Sequence, residues 1–211
     1  MQDFTIRLVL ERGKTVEFCG PADITREATG AIVNAANSSL LGGGGVDGAI
    51  HRAGGPAVLA ECRQIVSQIG SLQTGKAVIT TGGNLAAKYV IHTVGPIYRS
   101  GDRGSGDPRD GEHGEAEKLA SCHRESIRLA DEHAIESLSF PALSTGAFGY
   151  PVSEAAPVAI SATVAALAAS NHVRKVRFVL FDIATLRAYT RAAEKLSSET
   201  ASTFRIEKAS P

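Results

Sequence analysis

A carboxylate and an imidazole lie four residues apart, directly after a run of four glycines. Residues 42 to 45 are all glycine, and Asp47 and His51 follow them. Glycines let the backbone approach a ligand closely, and a glycine loop that opens a helix turns N–H groups and the positive end of the helix dipole toward an anion. On a helix, residues i and i+4 share one face. The segment therefore predicts a phosphate-binding loop with an acid–base pair beside it.

Two asparagines end the apolar run that precedes the glycines. Asn34 and Asn37 lie at the end of a short β-branched segment that begins near Gly30, which is typical of a buried strand. We expect the Asn34 amide to satisfy the backbone of the following loop. The spacing Gly43-x-Gly45-x-x-Gly48 matches a dinucleotide-binding pattern, but no acidic residue ends a second strand about 20 residues later. A Rossmann domain is therefore disfavoured.

Composition places the chain among ordinary soluble α/β proteins. It has 211 residues, 43% hydrophobic and 5% aromatic residues, and 22 basic residues balanced by 22 acidic ones. Sequence-independent binding of nucleic acid needs many phosphate contacts, for which this balance offers no basic tract. We expect no sequence-specific nucleic-acid binding either, and an anionic ligand would be held by backbone amides.

Cysteine usage and the termini indicate a cytoplasmic protein. Cys19, Cys62 and Cys122 are odd in number and form no zinc-binding pattern, so reduced thiols are expected. The first residues lack the layout of a signal peptide. The apolar segment 155–169 is too short to span a bilayer and is predicted to be a core helix, so no membrane association is expected.

Strand and helix patterns alternate along the chain. Strands are predicted at 4–10, 15–18, 30–34, 76–81, 89–93, 137–140 and 175–181, and helices at 46–54, 56–69, 115–132, 154–169 and 185–196. This order predicts one three-layer α/β/α domain over residues 1–196, with a mixed central sheet because the chain starts in a hairpin. Residues 99–114 are predicted to form a mobile surface loop, and residues 197–211 a disordered polar tail.

These segments resemble the macrodomain family, and within it the MacroD-like ADP-ribosyl hydrolases. The asparagines together with the glycine run and Asp47 carry the most specific part of the resemblance. The matching segments are residues 22–25, 31–37, 40–55, 91–96, 141–151 and 178–182. The resemblance implies the fold of a macrodomain and a pocket for ADP-ribose. We expect a monomer without a cofactor, and no metal, because the sequence shows no cluster of metal ligands.

The resemblance also implies a role for each matching residue. Asp23 and the Ile24 amide would bind adenine, and Phe181 would stack on it unless it packs in the core. Asn37 would hold the distal ribose, and Asp47 would position water with His51 as its partner. Whether His51 transfers protons or only orients the loop stays open. The phosphate-binding and ribose-binding positions would be Gly43, Gly44, Gly45 and Val46 in the first loop, and Ser144, Thr145, Gly146, Ala147 and Phe148 in the second.

The implied activity is hydrolysis of an ester at the distal ribose. The substrates would be mono-ADP-ribosylated proteins, with the ADP-ribose on an acidic side chain, or O-acetyl-ADP-ribose. Two alternatives share the same pocket: a module that binds ADP-ribose without turnover, and a phosphatase acting on ADP-ribose 1″-phosphate. Asp47 favours catalysis, because a carboxylate that faces phosphate is costly unless it is used.

Overall fold

The central sheet of the computed structural model has eight strands, five of which run parallel in its middle. The model describes residues 4–99, 114–199 and 204–209. Strands β2, β7, β6, β3 and β5 are parallel neighbours, while β4 and β1 are antiparallel to theirs and β8 is antiparallel to β1. The strands are β1 (Ile6–Leu10), β2 (Thr15–Cys19), β3 (Ala31–Ala35), β4 (Ala77–Thr81), β5 (Tyr89–Thr93), β6 (Ser137–Phe140), β7 (Lys175–Val179) and β8 (Phe204–Lys208).

Helices cover both faces of this sheet, which confirms the predicted three-layer α/β/α fold with a mixed sheet. The larger hydrophobic cluster lies between the sheet and three helices, and two smaller clusters lie on the opposite face. The helices of the larger cluster are α3 (Glu115–Glu132), α4 (Val152–Ala169) and α5 (Ile183–Glu199), and those of the smaller ones are α1 (Gly45–Gly54) and α2 (Pro56–Ile69).

The alternation of side chains along β3 shows how the sheet serves both layers. Ala31 and Val33 pack into the large cluster, whereas Ile32 packs with Ile50 of α1. Successive side chains of a strand point to opposite faces. Asn34 therefore faces the α1 side, as Ile32 does. The polar side chain of Asn34 thus lies beneath α1, the helix that carries Asp47.

Helix α4 is longer than its predicted range. It begins at Val152 and has 18 residues with a mean hydropathy of 1.6, so by length and composition alone it could cross a membrane. The helix predicted at 154–169 therefore starts two residues too late. The prediction of a core helix is confirmed, because α4 packs between α3 and α5 and buries residues such as Ile160 and Leu167.

The C-terminal segment contains a strand, so the prediction of a disordered tail over 197–211 was wrong. Helix α5 continues to Glu199, and β8 pairs antiparallel with β1 in a register that sets Leu10 opposite Phe204. Phe204 and Ile206 pack on the large cluster, while the charged residues between and after them obscured this apolar alternation in the sequence. Residues 200–203, 210 and 211, and residues 100–113 of the predicted mobile loop, lie outside the described part of the chain.

A buried lysine closes the C-terminal end of α4. The ammonium of Lys14 donates to the carbonyl oxygens of Leu167 (2.7 Å), Ala168 (3.1 Å) and Ser170 (2.5 Å), and the residue is 1% exposed. The last carbonyl groups of a helix receive no hydrogen bond from an N–H group of the same helix. A cation at this end also interacts favourably with the helix dipole. Lys14 therefore joins the N-terminal hairpin to the core helix.

We expect Lys14→Met to lower the free energy of unfolding by about 2–4 kcal/mol, because three buried carbonyl groups lose a charged donor. Urea denaturation measures this change. Lys76→Met at an exposed position is the matched control and should change the free energy by less than about 0.5 kcal/mol. Equal effects of the two substitutions would contradict this account of Lys14.

Two buried histidines should make stability depend on pH. Burial lowers the pKa of His123 to about 3, and that of His92 likewise. In the unfolded chain a histidine titrates near about 6.5, so the unfolded state binds more protons between these values. The stability that each neutral histidine contributes is therefore fully present above about pH 6.5. It is lost as the pH falls below this value.

His123→Leu should reduce the loss of unfolding free energy between about pH 7 and pH 5 by about 1–2 kcal/mol relative to wild type. Urea denaturation at the two pH values gives this difference directly. An unchanged pH dependence would show that His123 is not a neutral buried group.

Candidate functional site

The candidate site residues follow strands whose carboxyl ends share one edge of the sheet. Loops leave this edge after β2, β7, β6, β3 and β5, which are parallel neighbours in that order. In open α/β sheets the crevice outside these strand ends is the usual ligand site. The first and fourth of the strands lie three strand spacings apart, or about 14 Å. The predicted site residues are therefore spread along this edge of the sheet, which suits an elongated ligand.

The glycine loop leads directly into α1, as the sequence predicts. Gly44 is the N-cap and the helix begins at Gly45, so the amides of its first turn have no acceptor within the helix. A Cβ atom at Gly43 would lie 3.0 Å from Asp47 Oδ2 and 3.4 Å from Asn37 Nδ2. The loop thus brings these two predicted catalytic side chains to the same point. A Cβ at Gly44 would meet nothing within 4 Å, so the loop is open on its outer side.

Asn37 closes the loop in which it lies. Its Nδ2 donates to the carbonyl oxygen of Gly42 (3.0 Å), and its Oδ1 accepts from the Ser39 amide (3.0 Å) and hydroxyl (2.6 Å). An amide nitrogen has two hydrogens, so one remains for a ligand. The role that we expected of Asn34, satisfying the loop backbone, therefore belongs to Asn37.

Asp47 is buried beneath this loop and contacts two neighbours. Its Oδ1 accepts a hydrogen bond from Asn34 Nδ2 (2.7 Å) and lies 3.4 Å from His51 Nε2. The contact with His51 has no hydrogen-bond geometry, and neither ring nitrogen of His51 has a hydrogen-bond partner among the described residues. The predicted helical pair is thus adjacent, but the stronger partner of the carboxylate is an asparagine on β3.

The loop after β6 forms the opposite side of the crevice. Ser144 has a left-handed backbone (φ 64°), and the turn is closed by hydrogen bonds from the Tyr150 amide to Ser144 O (3.0 Å) and from Thr145 Oγ1 to Ala142 O (3.0 Å). The Ser144 hydroxyl is buried without a hydrogen-bond partner in the described chain. Gly146 and Ala147 are exposed and Phe148 is partly buried. Its exposed backbone at Gly146 and Ala147 is therefore accessible to a ligand.

Asp23, Ile24 and Phe181 lie at the far end of the crevice, after β2 and β7. The Ala22 amide donates to Leu180 O (3.0 Å), which ties the two loops together. Asp23 is exposed and caps a short 3-10 turn by accepting from the Thr25 amide (2.9 Å), while the Ile24 side chain is buried. Phe181 is 83% exposed. Core packing, the alternative for Phe181, is therefore wrong, and its ring is free to stack on a ligand.

Three potential metal ligands meet beneath α1, although their sequence spacing shows no metal pattern. Donor atoms of His51, Cys62 and His92 all lie within 4.8 Å of one another. However, Asn34 Nδ2 lies 3.1 Å from His92 Nδ1 and can only donate, so the proton of the neutral ring is on Nε2. Burial raises the pKa of the Cys62 thiol to about 11. Ligation of a metal by His92 Nε2 and Cys62 would therefore have to displace both protons.

A protein-family model described as "Macro domain" matches residues 33–159. A macro domain-containing protein of Streptomyces coelicolor is 52% identical over 176 residues, which cover 82% of this chain and 94% of that protein. The chain belongs to the macrodomain family. This confirms the resemblance that the two asparagines, the glycine run and Asp47 indicated.

Two further relatives of this macrodomain have informative descriptions. A Klebsiella pneumoniae protein named O-acetyl-ADP-ribose deacetylase is 49% identical over 169 residues, which cover 80% of this chain and 91% of that protein. The Oceanobacillus iheyensis macrodomain, solved with ADPR as a glycine-to-valine variant, superposes with a TM-score of 0.81 at 36% identity and covers 92% of this chain and 100% of its own. The macrodomain fold is thus shared with a solved ADPR complex.

The packing of α1 against the glycine loop has a direct test. A Cβ atom at Gly48 would lie 2.4 Å from the carbonyl oxygen of Gly43, so even a methyl group must displace the loop. We expect Gly48→Ala to lower the free energy of unfolding by about 1–3 kcal/mol, although alanine is favoured over glycine in a helix by about 1 kcal/mol. Gly146→Ala, where the added Cβ meets nothing within 4 Å, is the control. A stabilising Gly48→Ala would disprove this contact.

Proposed function

We propose that this macrodomain binds ADP-ribose and hydrolyses an ester at its distal ribose. The observation that carries the proposal is the meeting of the Asp47 carboxylate and the Asn37 amide at Gly43, at the start of an open glycine loop. The relatives named as an O-acetyl-ADP-ribose deacetylase and solved with ADPR support the choice of ligand.

The length and polarity of the crevice support a single orientation of the ligand. Adenine would lie against Phe181, with Asp23 accepting from its amino group and the Ile24 amide donating to the ring. The distal ribose would lie about 14 Å away, near Asn37 and Phe148, beyond the end of β3. The diphosphate would then cross between these ends, along the two loops. Each end of ADP-ribose thereby meets side chains that suit it.

Backbone amides would bind the diphosphate by donating hydrogen bonds to its oxygens. The chain has equal numbers of acidic and basic residues, and α1 directs the amides of its first turn, at Gly45 and Val46, toward the crevice. Amides of Gly43 and Gly44 precede them, and those of Ser144 to Phe148 face them from the other loop. Such arrays of N–H groups bind anions without lysine or arginine.

Asp47 would act on water at the ester. The carboxylate and a substrate phosphate oxygen hold the water, which adds to the ester carbonyl as Asp47 takes its proton. The bond from the carbonyl carbon to the ribose oxygen then breaks, and the proton goes to that oxygen. The products are ADP-ribose and either acetate or a free acidic side chain. General-base catalysis of this kind contributes ~10²–10⁴-fold, and orientation in the loops supplies further rate.

The second candidate function is binding of ADP-ribose without turnover. The same loops and Phe181 would serve a binding module equally well. Asp47 distinguishes the two, because its buried carboxylate faces the position proposed for substrate phosphate and would weaken binding. In a site that only binds ADP-ribose, this repulsion between carboxylate and phosphate would lower affinity without any benefit. The carboxylate therefore favours the hydrolase.

We expect Asp47→Asn to lower kcat by at least about 100-fold, because the amide keeps the shape of the carboxylate but cannot take a proton. The Kd for ADP-ribose should stay the same or fall, because the substitution removes the negative charge that faces the phosphate. Release of ADP-ribose from a glutamate-linked mono-ADP-ribosylated protein, and of acetate from O-acetyl-ADP-ribose, measures kcat. Isothermal titration measures Kd.

Phe181→Ala is the complementary variant. Loss of stacking should weaken ADP-ribose binding by about 5-fold to 100-fold, since one base–aromatic contact is worth about 1–3 kcal/mol. Turnover at saturating substrate should remain. Tight binding of ADP-ribose without release from either ester by the wild-type protein would overturn the hydrolase in favour of the binding module.

A further inference from the structure

A chain of buried polar side chains runs beneath α1 from the sheet to Asp47. We call Asn34, His92 and Thr80 the buried relay. Asn34 Nδ2 donates to Asp47 Oδ1 (2.7 Å) and lies 3.1 Å from His92 Nδ1, and His92 Nε2 lies 3.0 Å from Thr80 Oγ1. Asn34 and His92 are 0% exposed and Thr80 is 3% exposed. The relay thus joins three adjacent strands, β3, β5 and β4, to a single carboxylate on α1.

The orientation of the Asn34 amide sets the direction of the hydrogen bonds in this relay. Both hydrogens of Asn34 Nδ2 are used, one for Asp47 and one for His92, so His92 Nδ1 is an acceptor and its proton is on Nε2. That proton points to Thr80 Oγ1, whose own hydrogen goes to the carbonyl oxygen of Thr81 (3.0 Å). Reversal of the Asn34 amide would place an oxygen 2.7 Å from a carboxylate oxygen, which electrostatic repulsion forbids. The unreversed orientation leaves Asn34 Oδ1 without a hydrogen-bond partner among the described residues, and His92 Nε2 also lies 3.7 Å from Cys62 Sγ.

These hydrogen bonds give the two oxygens of Asp47 different surroundings. Oδ1 is engaged by Asn34 and lies against His51. Oδ2 makes no hydrogen bond to another described residue and faces Gly43, beside the Asn37 amide. The buried relay thus determines that Oδ2 is the carboxylate oxygen on the side of the glycine loop. The relay residues themselves are buried.

We propose that Asn34 and His92 are positioning residues that hold the Asp47 carboxylate so that Oδ2 alone acts on the water. This inference rests on the proposed function of Asp47. Rotation about the last torsion of an aspartate is broad, so a carboxylate without such a partner exchanges its two oxygens. A displacement of about 1 Å from a productive geometry costs as much as 10²-fold in rate. Loss of the relay should therefore lower turnover more than binding.

Three variants separate positioning from stability. His92→Leu removes the acceptor for Asn34, whereas His92→Asn restores an amide oxygen near the place of Nδ1. His123→Leu is the matched control, because His123 is equally buried, its pKa is also lowered to about 3, and it packs in the opposite layer against Phe140. All three should unfold at lower urea concentrations than wild type, since each replaces a buried side chain.

We expect His92→Leu to lower kcat for both esters by about 10-fold to 100-fold, with KM and the Kd for ADP-ribose changed by less than about threefold. His92→Asn should recover most of this loss, and His123→Leu should keep the wild-type kcat. An undiminished kcat in His92→Leu, beside an active wild-type protein, would overturn the inference and leave the proposed function intact. Equal losses in His92→Leu and His123→Leu would also overturn it.

Nuclear magnetic resonance of the ligand-free protein tests the relay without turnover. Long-range nitrogen–proton spectra should show His92 as the neutral ring with its proton on Nε2. The carboxyl carbon of Asp47 should change its chemical shift in His92→Leu but not in His123→Leu. A proton on Nδ1, or an Asp47 signal indifferent to His92, would refute the relay even if neither ester proves to be a substrate.

Discussion

The parallel pairing of β3 with both β5 and β6 is the constraint on which the candidate site depends. It places the ends of these strands at one edge, so the loops that follow β3 and β6 leave the sheet side by side. The same pairing sets Asn34 opposite His92 in the register of β3 and β5. A shift by one residue would turn Asn34 into the large hydrophobic cluster and remove the partner of Asp47.

The site joins an exposed surface made of backbone to a buried set of side chains. Glycines remove side chains where a ligand must approach, and they also let α1 press against its own loop, as the 2.4 Å from the Cβ position of Gly48 to Gly43 O requires. Beneath that surface, low polarity strengthens each hydrogen bond to Asp47 and makes an unpaired group costly. A surface made mainly of backbone therefore lies above a carboxylate that a buried hydrogen bond from Asn34 holds.

Local patterns predicted most elements of this fold and the adjacency of Asp47 and His51. The helices at 115–132 and 56–69 have the predicted bounds, because apolar periodicity and Pro56 define them. The strand at Phe204–Lys208 was missed, since two apolar residues among charged ones carry little signal until an edge strand is there to pair with them. The contact of Asn34 with Asp47 was missed because it joins a strand to a helix 13 residues further along the chain. The contact of Asn34 with His92 was missed because it joins two strands 58 residues apart.

The sequence by itself determined the family, the three-layer fold and the short-range geometry of Asp47 and His51. Each of these depends on spacing within one segment, where backbone periodicity fixes which residues meet. Only the tertiary structure decided that Phe181 is exposed rather than buried, and that Asn34 serves the carboxylate while Asn37 serves the loop. Hydrogen bonds between strands depend on register and on which face a side chain takes, and no single segment of the chain encodes either.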